Sequence, residues 1–345
     1  MNTFHSEFIA TETPRDSSHD ASANHPYTLE QVFQFSQHIR QEIAHALVGQ
    51  DTAVYHTLIA LFAGGHILIE GIPGLGKTLL MRALAKTFNG GFSRIQFTPD
   101  LMPSDVTGHA LYDLKTQEFN IRKGPVFTHL LLADEINRSP AKTQAALLEV
   151  MQENQVTIEG QSFVLPSPFM VMATQNSIEQ EGTYPLPDAQ LDRFLLKIIM
   201  GYPTAAEESQ LVAAVTHEKM GNILNVDQVR TIVTHHDIAA AQQYVARILV
   251  DQRVIDYAVR ITRATREDRS LLMGAGPRGA ISLVRAARAA AMLAQRNFVI
   301  PEDVKSVAHA VLRHRITLSP ALYMEGYTAD KVLSRLVEQI EVPRQ

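Results

Sequence analysis

The chain has 345 residues and no cysteine, and its 31 Lys and Arg against 36 Asp and Glu give a net charge of −5. This length accommodates two domains or one large domain, and the lack of cysteine excludes disulfides and thiolate metal sites. The mildly acidic balance argues against broad nucleic-acid binding, although a local basic pore would escape a whole-chain count. The N-terminus has no basic region and no long apolar run, so we expect neither a signal peptide nor a membrane span. The lack of cysteine fits a reducing environment, and we expect a cytoplasmic protein.

The first predicted elements are a disordered segment and two helices. Residues 1–27 are rich in polar residues without apolar periodicity, which predicts disorder. Thr28 and Gln31 have the spacing of a capping box at the start of a helix, and a second helix is predicted over residues 51–63. Between them lies a corner formed by Val48, Gly49 and Gln50. This corner either packs on an adenine ring or is a simple turn between helices.

Residues 71–78 read Gly-Ile-Pro-Gly-Leu-Gly-Lys-Thr and fit the phosphate-loop pattern G-x-x-x-x-G-K-[ST] at every fixed position. An apolar run before the loop predicts a buried strand, and helical spacing after it predicts a helix, which is the context that the motif requires. Backbone N–H groups of such a loop surround an anion, Lys77 reaches the β- and γ-phosphates, and the Thr78 hydroxyl binds Mg²⁺. The residues expected to contact ATP here are Gly71, Pro73, Gly74, Leu75, Gly76, Lys77, Thr78 and Leu79.

Two later strands are predicted to end in polar residues of the same site. Residues 129–135 form an apolar run that ends in Asp134 and Glu135. Asp134 is expected to hold Mg²⁺, and Glu135 to polarise the attacking water. Asn176 follows a strand predicted over 169–174 and is placed to bond the γ-phosphate or the water, although a turn-forming asparagine is the alternative. Hairpins are predicted at 112–122 and 156–165.

Strands are absent from the prediction after residue 203, which indicates a nucleotide-binding core over 28–203 and a helical second domain over 204–345. Within the second domain, Arg278 begins a strong helix, where a cation opposes the helix dipole. Such a cation is expected if an anion lies nearby, and a solvated surface arginine is the alternative. The predicted helices are 204–220, 227–235, 238–248, 251–266, 278–295, 301–313 and 329–340.

These motifs together resemble the AAA+ ATPases, and within them the MoxR family. The resemblance runs from about residue 28 to the C-terminus and includes Asp-Glu-Ile-Asn-Arg at 134–138 and Glu-Gln-Glu-Gly-Thr-Tyr-Pro-Leu-Pro at 179–187. It implies an α/β P-loop core with a five-stranded parallel sheet in the order 5-1-4-3-2 and an all-helical lid domain. It further implies that Asn176 is the first sensor, Arg278 the second sensor, and Arg193 an arginine finger that enters a neighbouring subunit. The two hairpins then face a central pore or a partner.

Three functions remain open at this point. The first, implied by the resemblance, is a remodelling or maturation chaperone, associated with metal-cofactor insertion, that works with a von Willebrand factor A domain protein on a client. It would use ATP and Mg²⁺ in a homo-oligomeric ring, expected to be hexameric. The second is a nucleic-acid motor, which the mixed charges of the hairpins disfavour. The third is a scaffold that binds ATP and hardly hydrolyses it, against which Glu135 argues.

Overall fold

The computed structural model describes residues 26–72, 74–175, 183–216 and 226–343. Nearly all of the predicted disordered segment lies outside these ranges. In chain order, the strands are β1 Ile67–Glu70, β2 Phe92–Gln96, β3 Gly108–Asp113, β4 Glu118–Lys123, β5 Leu130–Asp134, β6 Gln155–Ile158, β7 Gln161–Val164, β8 Met170–Gln175, β9 Leu196–Ile199, β10 Leu271–Met273 and β11 Thr317–Leu318. The helices are α1 Leu29–Ala44, α2 Asp51–Phe62, α3 Lys77–Thr87, α4 Pro103–Thr107, α5 Ala141–Glu153, α6 Asp188–Leu191, α7 Ala205–Thr216, α8 His235–Ala246, α9 Gln252–Glu267, α10 Pro277–Leu293, α11 Pro301–Leu312, α12 Pro320–Met324 and α13 Ala329–Gln339.

A five-stranded parallel sheet forms the centre of the N-terminal half, in the order β2-β5-β8-β1-β9. Numbered among themselves along the chain, these strands have the order 5-1-4-3-2, so the predicted topology is confirmed. Register pairs Gln96 with Asp134 and Glu70 with Gln175. The carboxyl ends of the strands therefore meet at one edge of the sheet, where ligands bind in open α/β folds.

Apolar residues cover both faces of this sheet. Alternate residues of β1 point to opposite sides, so Ile67 and Ile69 join one buried cluster and Leu68 joins the other. The first cluster includes residues of α1, α2 and α3 and continues into α8, α9, α10 and α11. The second lies beneath α5 and the two hairpins. The helix α10 thus belongs to the same core as the helices that flank the phosphate loop.

Both predicted hairpins are confirmed, as β3–β4 and β6–β7. The first begins earlier than predicted, because pairing starts at Gly108 opposite Lys123 rather than at residue 112. Its tip carries Tyr112 and Phe119, whose rings lie 5.1 Å apart and which are 50 % and 72 % exposed. An aromatic pair left in solvent at the end of a hairpin is unusual for a surface without a partner.

The C-terminal region is helical, as predicted, with two differences. The helix predicted over 227–235 is absent, because the N–H groups of Ile232 and Val233 both bond to Thr87 O instead of to a helical turn. The following helix, α8, begins at His235 and is capped by Thr234 in a capping box with Asp237. A short antiparallel pair, β10 and β11, and the small helix α12 add to the predicted helices. No described helix is long and apolar enough to cross a membrane.

Candidate active site

The phosphate loop joins β1 to α3 in the conformation that its sequence predicts. Gly74 and Gly76 have φ values of +85° and +83°, a left-handed region that favours glycine. A Cβ at Gly76 would lie 2.6 Å from Leu47 Cδ1, so a larger residue would displace that side chain in addition to straining the backbone. The helix α3 begins at Lys77 with no side-chain cap. Its first backbone N–H groups are therefore available to an anion, together with the positive end of the helix dipole.

Lys77 is folded back onto this loop. Its Nζ donates a 2.5 Å hydrogen bond to Gly71 O. Burial lowers the pKa of Lys77, and the carboxylates of Asp134, Glu135 and Glu70 oppose that shift. A partly desolvated ammonium group beside a nest of amides stabilises a bound polyphosphate, because the attraction between the ammonium group and the anion is stronger where water screens it less.

Asp134 lies at the carboxyl end of β5, and two neighbouring strands orient its carboxylate. The Thr174 hydroxyl of β8 donates to Oδ1 at 2.6 Å, and Arg94 of β2 donates to Oδ2 from Nη2 at 2.6 Å and from Nε at 3.2 Å. The sheet order that places β5 between β2 and β8 makes both contacts geometrically possible. These contacts fix the orientation of the Asp134 carboxylate, which lines the cavity described below.

Glu135 has the left-handed backbone conformation, with φ 55°. Its N–H donates to Thr174 Oγ1 at 2.9 Å, which anchors the backbone at the end of β8. Its side-chain Oε2 accepts hydrogen bonds from Gln96 Nε2 at 2.7 Å and from Arg138 Nη1 at 3.0 Å. The carboxylate is thus held at the cavity wall by two donors, one neutral and one charged.

These groups surround a cavity of about 410 Å³, a size typical of a small-molecule site. The donor set fits magnesium and a triphosphate. Loop amides and Lys77 suit phosphate oxygens, and the hydroxyl of Thr78 and the carboxylate of Asp134 suit Mg²⁺. The lining residues are Gly71, Gly74, Gly76, Lys77, Thr78, Leu79, Arg82, Arg94, Gln96, Asp134, Glu135 and Thr174.

Four of these lining residues, Arg82, Arg94, Gln96 and Thr174, were not predicted from the sequence. Arg94 and Gln96 alternate along β2, and two polar residues with period 2 on a predicted strand were the available signal. That alternation identifies a polar face, but only the pairing of β2 with β5 shows that the face meets Asp134 and Glu135.

Arg193 and Arg278 lie elsewhere, in a second cavity of about 370 Å³. Both line this cavity, and Asp192, which precedes Arg193, places its Oδ2 3.9 Å from Arg278 Nη1. Arg193 Nε is buried without a hydrogen-bond acceptor among the described residues. Neither arginine lines the cavity that contains Lys77. The structure therefore brings the two predicted arginines together and keeps both apart from the phosphate loop of their own chain.

The remaining predicted residues are placed as follows. Asn176 and Pro73 lie outside the described residues, so their predicted roles stay predictions. The corner of Val48, Gly49 and Gln50 lies against residues 201–203, and Gln50 Nε2 donates to Gly201 O at 3.1 Å. The corner does not line the cavity around Lys77, although Leu47 just before it contacts the loop at Gly76. Contact with an adenine ring stays a prediction.

Comparison with known proteins agrees with this geometry. The model of the ATPase family associated with various cellular activities (AAA) matches residues 66–196, and an AAA lid domain model matches residues 263–336. The chain is 43% identical to Chaperone MoxR1 of Mycobacterium tuberculosis over 88% of this chain and 81% of that protein. The chain belongs to the MoxR family of AAA+ ATPases.

Other relatives of this MoxR-family ATPase support the same assignment. The uncharacterized protein YeaC of Bacillus subtilis is 44% identical over 88% of this chain and 94% of its own length. A solved structure from Cytophaga hutchinsonii, described as a candidate ATPase, superimposes with a TM-score of 0.84 at 40% identity and covers 92% of this chain and 97% of that chain. The family membership makes the chain an ATPase, so the cavity around Lys77 is the expected place of its nucleotide.

Proposed function

We propose that this ATPase hydrolyses Mg²⁺-bound ATP in a ring, and that each active site is completed by Arg193 and Arg278 of the adjacent subunit. In this proposal the loop amides and Lys77 bind the β- and γ-phosphates, and Thr78 and Asp134 hold Mg²⁺. Glu135 accepts the proton of the attacking water, and Asn176 orients that water or the γ-phosphate. A ring of six subunits, as the family resemblance implies, stays a prediction, as does a cytoplasmic location.

The separation of the two arginine residues from Lys77 is the observation that carries this proposal. Transfer of a γ-phosphoryl group builds charge that several cations must stabilise. Arg193 and Arg278 line one cavity, and the Nε of Arg193 has no acceptor among the described residues. Neither arginine lines the cavity at the phosphate loop of its own chain. A neighbouring subunit that places its bound nucleotide against this cavity would supply an anion for these two arginines.

The exposed hairpin supports action on a protein client. Its tip presents Tyr112, Leu114 and Phe119, of which Leu114 is 83 % exposed, whereas its charges alternate in sign around Lys115. An apolar tip suits contact with polypeptide better than contact with a phosphate backbone. We propose remodelling or maturation of a client, with a von Willebrand factor A domain protein as partner and metal-cofactor insertion as one outcome. One relative is named a chaperone, and the partner and the metal rest on the resemblance.

Subunit mixing tests the shared site directly. Arg193→Ala should bind ATP normally and lose about 10³- to 10⁵-fold in hydrolysis, because the transition state lacks its cation. Glu135→Gln should also be inactive. A mixture of the two variants should regain activity, since an intact Glu135 site can then meet an intact Arg193. Arg263→Ala, which removes an exposed arginine of α9, is the control and should hydrolyse at the wild-type rate.

Two results would overturn the proposal. One is normal hydrolysis by Arg193→Ala. The other is full-rate hydrolysis by a protein that stays monomeric, as judged by light scattering, with ATP and Mg²⁺ present.

A further inference from the structure

Arg315, just after α11, inserts its side chain beneath the turn that carries Arg193. The side chain is only 2 % exposed, and its donors converge on residues 192–195. Nε donates to Asp192 Oδ1 at 2.7 Å, and Nη2 donates to Phe194 O at 2.7 Å and to Asp192 O at 3.2 Å. The remaining contacts are Nη1 with Leu195 O at 3.3 Å, Nη1 with Val311 O, Nη1 with His314 Nε2 at 2.7 Å, and Nη2 with Ser282 Oγ at 3.2 Å.

This arrangement fixes a segment that has little regular structure of its own. Residues 192–195 connect the single turn α6 to β9, and three of their carbonyl groups accept from Arg315. A guanidinium presents its donors in one rigid plane, so several acceptors bound to it hold fixed relative positions. Burying that charge is costly unless it is paired, and Asp192 supplies the pair.

Arg193 and Arg278 both depend on the same segment. Arg193 is the residue next to Asp192, within the span that Arg315 holds. Arg278 lies 3.9 Å from Asp192 Oδ2, while Arg315 binds Oδ1 of that carboxylate. Asp192 therefore connects the buried guanidinium of Arg315 to that of Arg278 and precedes Arg193 in the chain, and Ser282 and Val311 connect Arg315 to α10 and α11.

We infer that Arg315 is a positioning residue for hydrolysis in the neighbouring subunit. It fixes the direction of Arg193 and, through Asp192, of Arg278, and it ties both to α10 and α11. This inference rests on the proposed function, in which these two arginines act across a subunit boundary.

Replacement of Arg315 by lysine tests the inference, because an ammonium group keeps the charge and loses the planar set of donors. A small displacement of a group that stabilises a transition state reduces the rate by about 100-fold. Arg315→Lys should therefore lower kcat by about that factor and leave the KM for ATP and the oligomeric state unchanged. Mixed with Glu135→Gln, it should regain activity, since its own phosphate loop is intact and the partner variant supplies a well-placed Arg193.

Asp192→Asn is the second variant, in case the lysine protein does not fold. It keeps an acceptor for Arg315 and removes the charge between the arginines, so it should lose hydrolysis and recover it on mixing with Glu135→Gln. Arg335→Lys is the matched control. It makes the same arginine-to-lysine change at an ion pair with Asp268 that does not reach residues 192–195, and it should hydrolyse at the wild-type rate.

The outcomes separate this inference from the proposed function. If Arg193→Ala is rescued by mixing but the folded Arg315 and Asp192 variants are not, the second cavity acts across subunits and Arg315 has only a structural role. Wild-type kcat in both of these variants would also overturn the inference. If Arg193→Ala itself hydrolyses normally, the proposed function fails and the inference fails with it.

Discussion

Gln96 Nε2 donates a 2.7 Å hydrogen bond to Oε2 of Glu135, the carboxylate proposed to activate water. Gln96 belongs to β2 and Glu135 follows β5, so the contact exists because these strands are neighbours in the sheet. The same oxygen also accepts from Arg138, so two donors already occupy it and hold it away from a water molecule. If Glu135 activates water as proposed, we expect this arrangement to be a resting one that Glu135 leaves before hydrolysis.

Gln96→Ala should raise the basal rate of ATP hydrolysis. One hydrogen bond contributes about 0.5–1.5 kcal/mol, which corresponds to about a two- to tenfold change in rate. Steady-state phosphate release measures it. Gln161→Ala, on the exposed strand β7, is the control. A tenfold fall in rate with Gln96→Ala would mean that the amide instead holds Glu135 in its active position.

Lys77→Ala should strongly weaken nucleotide binding, because the partly buried cation that faces the phosphates is removed. A charge-assisted hydrogen bond contributes up to about 3 kcal/mol, so affinity should fall by up to about 100-fold. Isothermal calorimetry with ATP and Mg²⁺ measures this, with Lys142→Ala on the exposed side of α5 as the control. Unchanged affinity would refute the assignment of the loop.

His66 should make the stability of the protein depend on pH. Its Nδ1 accepts from Val171 N–H at 3.0 Å, so Nε2 carries the proton and donates to Met151 O at 3.0 Å. Burial lowers the pKa of His66 to about 4, against 6.5 for a free imidazole. The unfolded chain therefore binds a proton first as pH falls. The contribution of His66 is complete above pH 6.5 and is lost progressively toward pH 4, by about 3 kcal/mol in total.

Urea unfolding at pH 7.5 and pH 5 measures this effect. His66→Gln should be less stable at pH 7.5 but show a smaller loss between the two pH values than the wild-type protein. His38→Gln removes an exposed imidazole of α1 and should leave the difference unchanged. Equal pH dependence in the wild-type and His66→Gln proteins would contradict the prediction.

The hairpin tip should matter for binding of polypeptide and not for basal hydrolysis. Tyr112→Ser with Phe119→Ser removes the exposed aromatic pair and should weaken binding of a permanently unfolded, fluorescently labelled polypeptide by about 30-fold, the effect of losing one interface hot spot of about 2 kcal/mol. Fluorescence anisotropy measures it. Tyr323→Ser, at a 73 % exposed aromatic of α12, is the control. Loss of basal hydrolysis in the double variant would show that the hairpin acts on the nucleotide site instead.

The sequence was sufficient to predict those site residues that belong to one contiguous stretch of the chain. The phosphate loop, its strand and its helix are contiguous, so Lys77 and Thr78 were predictable from a short pattern. Arg94 and Gln96 were not, because their contacts with Asp134 and Glu135 require a pairing between distant strands. The strand order came from the resemblance to a family and not from periodicity.

Two C-terminal features show the same limit. The helix predicted at 227–235 does not form, because two consecutive amides there donate to Thr87 O in a tertiary contact instead of to a helical turn. The ring of His129 lies 4.8 Å from that of His235, a contact between residues far apart in the chain that sequence spacing does not reveal. No cluster of histidines and acidic residues in the described ranges is suited to a metal ion.

The shared core around α10 has a mechanical consequence. This helix packs on α1 and α2 of the N-terminal half and on α8, α9 and α11 of the C-terminal half, so it lies between the two halves of the chain. A protein cut after residue 203 would expose apolar surface on α1 and α2 and is expected to precipitate. In the proposed ring, each subunit should therefore move as a rigid body, and the motion driven by ATP hydrolysis should occur at the interfaces between subunits.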